Sequence, residues 1–337
     1  MRPYAIALSY RDGRGLGLEY ERHVALHHRV RGLWQFVRER HPRRPRDDVR
    51  VPGSVHYLEC AACKALQLLD VPADLSRYYP RDYYSFAPSG ALKNSLRQRR
   101  SAYAHGTRGV SGWLAEQMLG PDYAMRAIRR ARIPFDARVL DVGCGSGHLI
   151  RGMAGLGYRH TCGLDPFLEA DLHYPDGVTV WKRSIDEMDG AFDVVMSHHA
   201  FEHMPAPARA LSEMRRLLAP GGRILVRIPV ADSHAWRRYG VNRVNLDAPR
   251  HLFLHTPDSM KRLAEQTSLT ISDIVFEGNA SQFIASDQYE RDGPLADPRS
   301  VYSGGLRRWV GVWQAHRLAA RVAKLNQPVR ETGPVSN

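Results

Sequence analysis

The chain is expected to fold as an α/β protein on a doubly wound, mostly parallel, Rossmann-like sheet. Two patterns carry that expectation. From Arg138 onward, short β-rich runs alternate with amphipathic stretches of helical length, an order that calls for a parallel sheet covered by helices on both faces. One strand-to-helix junction is a glycine loop, DVGCGSG (141–147), at the kind of position where open α/β sheets receive ligands. A smaller N-terminal region and a C-terminal helix complete the reading, with boundaries at residues 1–110, 111–290 and 291–337.

Taken in order, residues 19–40 show helical spacing through Leu26, Val30, Leu33, Trp34 and Val37. ERHPRRPRDD (39–48) reads as a turn or linker, VHYLE (55–59) as a strand, and YYPRDYYSF (78–86) as an irregular aromatic patch. Residues 91–132 are helical with a break near 106–112. Then come the strands RVLDVG, HTCGLD, VTVWKR, FDVVMSHH and RILVRIPV, alternating with helices such as ARALSEMRRLLAP and DSMKRLAEQTSL. TISDIVFEG (270–278) and SQFIASDQY (281–289) are the candidates for a closing antiparallel pair. A further amphipathic helix is expected over 305–325, and a last strand beyond it would be short or missing.

Composition narrows the function classes. At 43% hydrophobic and 25% charged, the chain is globular rather than fibrous or low-complexity. No apolar run approaches a membrane span or a signal h-region, so a cytoplasmic protein is expected. The net charge is +13, but it is local: residues 1–138 hold 25 basic against 13 acidic groups, and residues 139–337 hold 23 against 22. Of the 48 basic residues only five are Lys. The basic region could recruit an acidic or phosphorylated acceptor, whereas the neutral remainder gives no reason to expect a nucleic-acid track.

In the glycine loop, Gly143, Gly145 and Gly147 let the backbone turn and approach a ligand closely. The dinucleotide fingerprint would place a sixth-position glycine where His148 stands. Asp141 just before the loop would repel a pyrophosphate, so a neutral or cationic ligand fits better. Asp165, eighteen residues after Gly147, ends the next strand and suits a ribose diol.

DVGCGSG (141–147), GLDP (163–166), FDVVMSHHAFEHMPAP (192–207) and LLAPGGRILVRIP (217–229) together resemble class I S-adenosylmethionine-dependent methyltransferases, in family order over about residues 137–275. The resemblance implies a cofactor site made of Asp141, Gly143, Cys144, Gly145, Gly147, Asp165 and Pro166. Ser184 and Ile185 would meet adenine, and Ser197 and His198 would line the transfer pocket. It also implies an acceptor that is a small molecule or glycan precursor, methylated most naturally on oxygen. A nucleic-acid methyltransferase and a non-catalytic cofactor-binding scaffold are the alternatives. The Asn/Asp-Pro-Pro-Phe/Tyr motif of amino-methylating nucleic-acid enzymes is absent, and the intact loop argues against a scaffold.

A general base is needed only if the acceptor must lose a proton. His203, beside Glu202, is the first candidate, against a purely structural role for both in capping the following loop. His199, Glu202 and His203 would also form a two-His, one-carboxylate set for a divalent ion if the segment turned helically. That segment is similar to ubiquinone-biosynthesis O-methyltransferases, except that His199 replaces their acidic residue. Asp247, Arg250 and His251 resemble the Asp-x-x-x-His loop of one bacterial branch, which implies a substrate-side position. Thr256 and Pro257 read as the N-cap and first residue of the helix that follows. Cys60 and Cys63 are half of a zinc knuckle, to be completed by histidines among His23, His27, His28, His41 and His56 or left as free thiols.

Overall fold

A computed structural model describes residues 3–9, 34–39, 55–75, 78, 91–277, 281–291, 293 and 295. The 39–48 linker beyond Glu39, most of the aromatic patch, the 305–325 helix and any strand after it lie outside these residues.

The first strands are β1 (Pro3–Ser9), β2 (Trp34–Glu39), β3 (Val55–Cys60) and β4 (Leu66–Leu68). Three helices follow: α1 (Ala91–His105), α2 (Val110–Leu119) and α3 (Tyr123–Arg130). The alternating part then runs β5 (Arg138–Val142), α4 (His148–Ala154), β6 (His160–Leu164), β7 (Leu172–His173), β8 (Thr179–Trp181) and β9 (Phe192–His198). After it come α5 (Pro207–Arg216), β10 (Leu218–Pro229), α6 (His234–Tyr239), β11 (Phe253–Leu254), α7 (Pro257–Gln266), β12 (Thr270–Phe276) and α8 (Ser281–Glu290).

Among the described residues, eight strands form one sheet in the order β12-β1-β10-β9-β5-β6-β8-β7. β10, β9, β5, β6 and β8 are parallel, and the order reverses between β5 and β9. Neighbouring residues in these strands bury to opposite faces. Leu140, Val195, Ile224 and Val226 join a cluster with Leu211, Met214 and Leu263 from α5 and α7. Val139, Val194, Met196 and Leu225 join Met125, Ile128, Ile150 and Met153 from α3 and α4. Strands apolar on both faces are what a helix-covered parallel sheet requires. α5 opens on Pro207 and α7 on Pro257, and Thr256 caps α7 through a bond from the Ser259 amide, as the sequence suggested.

A second sheet, β11-β4-β3-β2, is antiparallel and packs on its own cluster. Tyr57, Leu66 and Leu68 meet Leu246, Ala248, Leu252 and Leu254 there, so this sheet backs the chain segment 245–256.

Three sequence expectations change. The helix over 19–40 is not continuous: Trp34–Glu39 is the strand β2, paired with β3 from Trp34↔Cys60 to Glu39↔Val55. A short run rich in Trp, Phe and Val satisfies both periods, and the partner strand decides. Residues 281–289 form helix α8, not a strand. Their buried positions, Gln282, Phe283, Ala285, Ser286 and Tyr289, recur at helical spacing. Finally, the N-terminal region is not all accessory. β1 lies antiparallel between β10 and β12, with Tyr4 opposite both Ile228 and Phe276, and it fills the place expected of a final strand.

Candidate active site

The crevice opens at the carboxyl ends of β5, β6 and β9, at the reversal of strand order. Gly143, Gly145 and Gly147 have φ of +74°, +54° and +74°, a region closed to most side chains. Space forbids them too: a Cβ on Gly143 would lie 2.3 Å from Ala200 Cβ, and one on Gly147 would lie 2.7 Å from Val180. The Cys144 side chain packs against Gly163, leaving the loop to present backbone.

Two carboxylates stand beneath the loop. Asp165 accepts the Gly145 and Phe167 amides at 2.9 and 3.0 Å, and each of its oxygens keeps a further lone pair. Asp141 is 2% exposed, and its Oδ1 has no hydrogen-bond partner among the described residues. Burial, reinforced by Asp165, pushes its carboxyl well above the usual range. A buried acid pair without a counter-charge is suited to a cation.

Pro166, just past Asp165, is exposed at the rim. Ser184 caps a 3₁₀ turn, Ile185–Glu187, and gives both its amide (2.8 Å) and its hydroxyl (2.7 Å) to Glu187. Any amide offered to a base here therefore comes from a later residue, while Ile185 packs on the sheet's main cluster.

At the end of β9, Ser197 Oγ and both His198 ring nitrogens are buried without partners among the described residues. Burial, then Arg227, pushes His198 down to about 3, so its ring is neutral. His199 takes φ +55° and donates its amide to the Arg227 carbonyl at 2.8 Å. The chain then makes a 3₁₀ turn, Phe201–His203.

Beyond that turn, Glu202, His203 and His251 converge, with one ligand-capable atom of each within 4.8 Å of the others. His203 Nδ1 donates to the Arg250 carbonyl and His251 Nδ1 to the Asn245 carbonyl, both at 2.8 Å. A carbonyl only accepts, so each Nδ1 carries the proton and Nε2 is the basic nitrogen. The rings sit 4.7 Å apart, edge to face. His251 Nε2 lies 3.8 Å from Glu202 and 3.7 Å from Asp247. Burial, then His203, pushes His251 down to about 3; burial also lowers His203 and pushes Glu202 up to about 8.

Asp247, itself in a left-handed conformation, is gripped by both arms of Arg250 at 3.0 and 2.5 Å. Burial would raise its carboxyl, yet Arg250 and His251 hold it below the usual range. The second sheet fixes this loop from behind: Tyr57 Oη donates to the His251 carbonyl at 2.7 Å, and the Leu68 amide to Leu252 at 2.8 Å. The Leu252 amide reaches the Glu202 carbonyl at 2.9 Å.

A family profile described as a methyltransferase domain matches residues 97–273, more than half of the chain. The chain belongs to this methyltransferase family. S-Adenosylmethionine, a sulfonium bearing an ammonium, fits the loop: Asp141 lacks a counter-charge, Asp165 has spare lone pairs, and the glycines leave no Cβ in the way. Over 100 residues the chain is 40% identical to a ubiquinone biosynthesis O-methyltransferase of Pseudomonas aeruginosa, covering 26% of this chain and 43% of that one. Over 103 residues it is 36% identical to a tRNA U34 carboxymethyltransferase of Cellvibrio japonicus, covering 27% of this chain and 32% of that one. The alignments thus span less than half of either relative. A solved S-adenosylmethionine-dependent methyltransferase of Thermotoga maritima superposes with a TM-score of 0.34 at 19% identity, covering 51% of this chain and 79% of that one.

The ligand-capable group differs from the one the sequence suggested. His199 does not join Glu202 and His203 in the three-residue group; its Nδ1 lies 3.4 Å from Glu202 Oε1 as a neighbour, and His251 takes the third place. The turn after β9 is too short and tight to stack residues 199 and 203 as a helix would. Cys60 and Cys63 are free thiols in the β3–β4 turn, whose Cys63 carbonyl accepts the Thr256 hydroxyl at 2.6 Å. No third potential ligand joins them among the described residues. His23, His27, His28 and His41 lie outside those residues. No described helix is long and apolar enough to cross a membrane.

Tyr57, Arg227 and Asn245 escaped the sequence reading as site residues. Tyr57 had no local signal, because its contact to His251 spans 194 positions. Arg227, paired with Glu277 at 3.0 Å behind β9, lay hidden in an ordinary strand pattern.

Proposed function

We propose that the protein transfers a methyl group from S-adenosylmethionine to a hydroxyl of a small molecule or glycan precursor. The observation that carries this reading is the His203–His251 pair, two neutral imidazoles with Nε2 as the basic nitrogen, beside the cofactor crevice. A sulfonium is already activated, so transfer needs mainly alignment; an acceptor hydroxyl additionally needs its proton removed. A proton taken up by the pair would be offset by ionised Asp247, 3.7 Å from His251 Nε2, against the burial that weakens both rings as bases. Asp247 and Arg250 hold the loop that presents His251, and the second sheet keeps the loop seated. Their burial favours a small acceptor over a polymer. The O-methyltransferase named among the relatives supports the choice of oxygen.

Glu202, His203 and His251 also fit a divalent cation, since two imidazoles and a carboxylate with a buried, unpartnered Oε2 make a two-His, one-carboxylate set. An ion bound there would polarise the acceptor oxygen and ease its deprotonation.

The test is methyl transfer to a panel of phenols, sugars, nucleotide sugars and RNA, run on the intact and the chelator-treated protein. A hydroxyl acceptor should emerge, and His203→Gln or His251→Gln should each lower kcat by ~10²–10⁴ without altering cofactor affinity. An acceptor nitrogen, or full turnover in both variants, would overturn the reading. Undiminished turnover after metal removal would dismiss the cation alone.

A further inference from the structure

The proposed reaction makes no use of a cavity formed by the described residues. It lies between the C-terminal end of α1, α3 and the β10–β1–β12 side of the sheet, and its volume is about 760 Å³. Leu225 and Val275 contribute from the sheet, and the register places Ala7 between Leu225 and Asp273. No lining residue belongs to the glycine loop, to the Asp141–Asp165 pair or to the Glu202–His203–His251 group.

The walls carry five guanidinium groups, Arg108, Arg126, Arg129, Arg130 and Arg132, against two acids, Asp273 and Glu277. Both acids are already neutralised. Asp273 pairs with Arg130 at 3.3 Å, and Glu277 with Arg227 at 3.0 Å. Arg126 is held by Glu116. Among the described residues, no carboxylate lies within ion-pair distance of Arg108, Arg129 or Arg132. These three are exposed and come from different segments: the α1–α2 connection, the last turn of α3, and the turn beyond it, where Arg132 takes φ +49°.

Cations often sit near a helix C-terminus to offset its dipole, which accounts for Arg129 and Arg130. It does not account for Arg108, which reaches the same space from another element. The Arg129 guanidinium is seated over Gly106, where a Cβ would lie 3.0 Å from Cζ and where φ is +119°. A cleft lined by one sign of charge concentrates counter-ions, and planar guanidinium forks match phosphate oxygens in pairs. The volume falls within the few hundred to ~1,000 Å³ of small-ligand sites, too small for a polymer track.

From these observations we infer that the cavity is a second binding site, taking a small phosphate-bearing molecule held by Arg108, Arg129 and Arg132. It is independent of the methyl-transfer reading and of the cofactor crevice. It also gives the basic N-terminal third a definite use, since all five guanidinium groups belong to that part of the sequence.

Titration calorimetry on the full chain, with inorganic pyrophosphate and ADP as probes, tests it. Saturable binding is expected for at least one probe. The Arg108→Ala, Arg129→Ala, Arg132→Ala triple variant should weaken it ~10-fold or more. S-Adenosylmethionine binding, read on the same samples, should not change. The three side chains are exposed, so the triple variant should melt as the parent does; if it does not, Arg108→Ala alone carries the comparison. Absence of saturable binding, or variants that bind like the parent, would overturn the inference. So would oligouridylate that binds more tightly with length while ADP does not bind, because the surface would then serve nucleic acid.

Discussion

Asp141 illustrates how a residue can be set for a ligand before the ligand arrives. Its carboxylate is buried beside Asp165 with one oxygen unpartnered, a state that costs the empty fold and is offset when a cation binds. Asp141→Asn should therefore have effects of opposite sign: a higher Tm for the ligand-free protein, and S-adenosylmethionine binding weaker by ~1.5–3 kcal/mol. Thermal melts with and without cofactor read both, and unchanged cofactor affinity in the variant would mean the ammonium sits elsewhere. His255 is a second case. Buried between Phe201 and Phe253, it is pushed by burial from 6.5 down to about 4. The unfolded chain therefore takes up a proton between those values that the fold refuses, so stability is lost as pH falls through that window. His255→Phe should reduce the pH dependence of the unfolding free energy there by about one proton, seen in denaturant melts at pH 7 and pH 5. An unaltered slope would place the titration on another group.

At the scale of elements, the second sheet is a buttress for the segment that carries His251. Tyr57 on β3 holds the His251 carbonyl at 2.7 Å. Tyr57→Phe should cost about 1 kcal/mol of stability, the worth of one hydrogen bond. It should also lower kcat about fivefold, with cofactor affinity unchanged, because His251 loses its fixed direction. Equal kcat in the two proteins would confine Tyr57 to packing. The glycine loop and the capped start of α7 were legible in the sequence, because each is written in consecutive residues with few physical alternatives. β2 and α8 were not, because short apolar runs satisfy two periodicities and only their partners choose between them.

For the whole molecule, the decisive feature is that the two chain regions meet in one sheet. β1 joins β10 to β12, so removing residues 1–9 would leave two unpaired strand edges facing each other across a gap. That deletion should abolish cooperative unfolding or render the protein insoluble, as circular dichroism melts would reveal. A wild-type melt would show β1 to be dispensable. A catalytic fragment beginning near residue 111 should fail for the same reason, since it also lacks α1, which packs on α3 and α4.

By itself the sequence determined the parallel half of the sheet, the glycine loop after β5, and the acids beneath it. Those features depend on local geometry: a glycine where φ must be positive, a carboxylate at a strand end. The tertiary structure alone decided that an N-terminal strand completes the sheet, that His251 completes the ligand-capable group of Glu202 and His203, and that five arginines share one cavity. Each of these depends on contacts between residues far apart in the chain, where no period or motif records which partner will arrive.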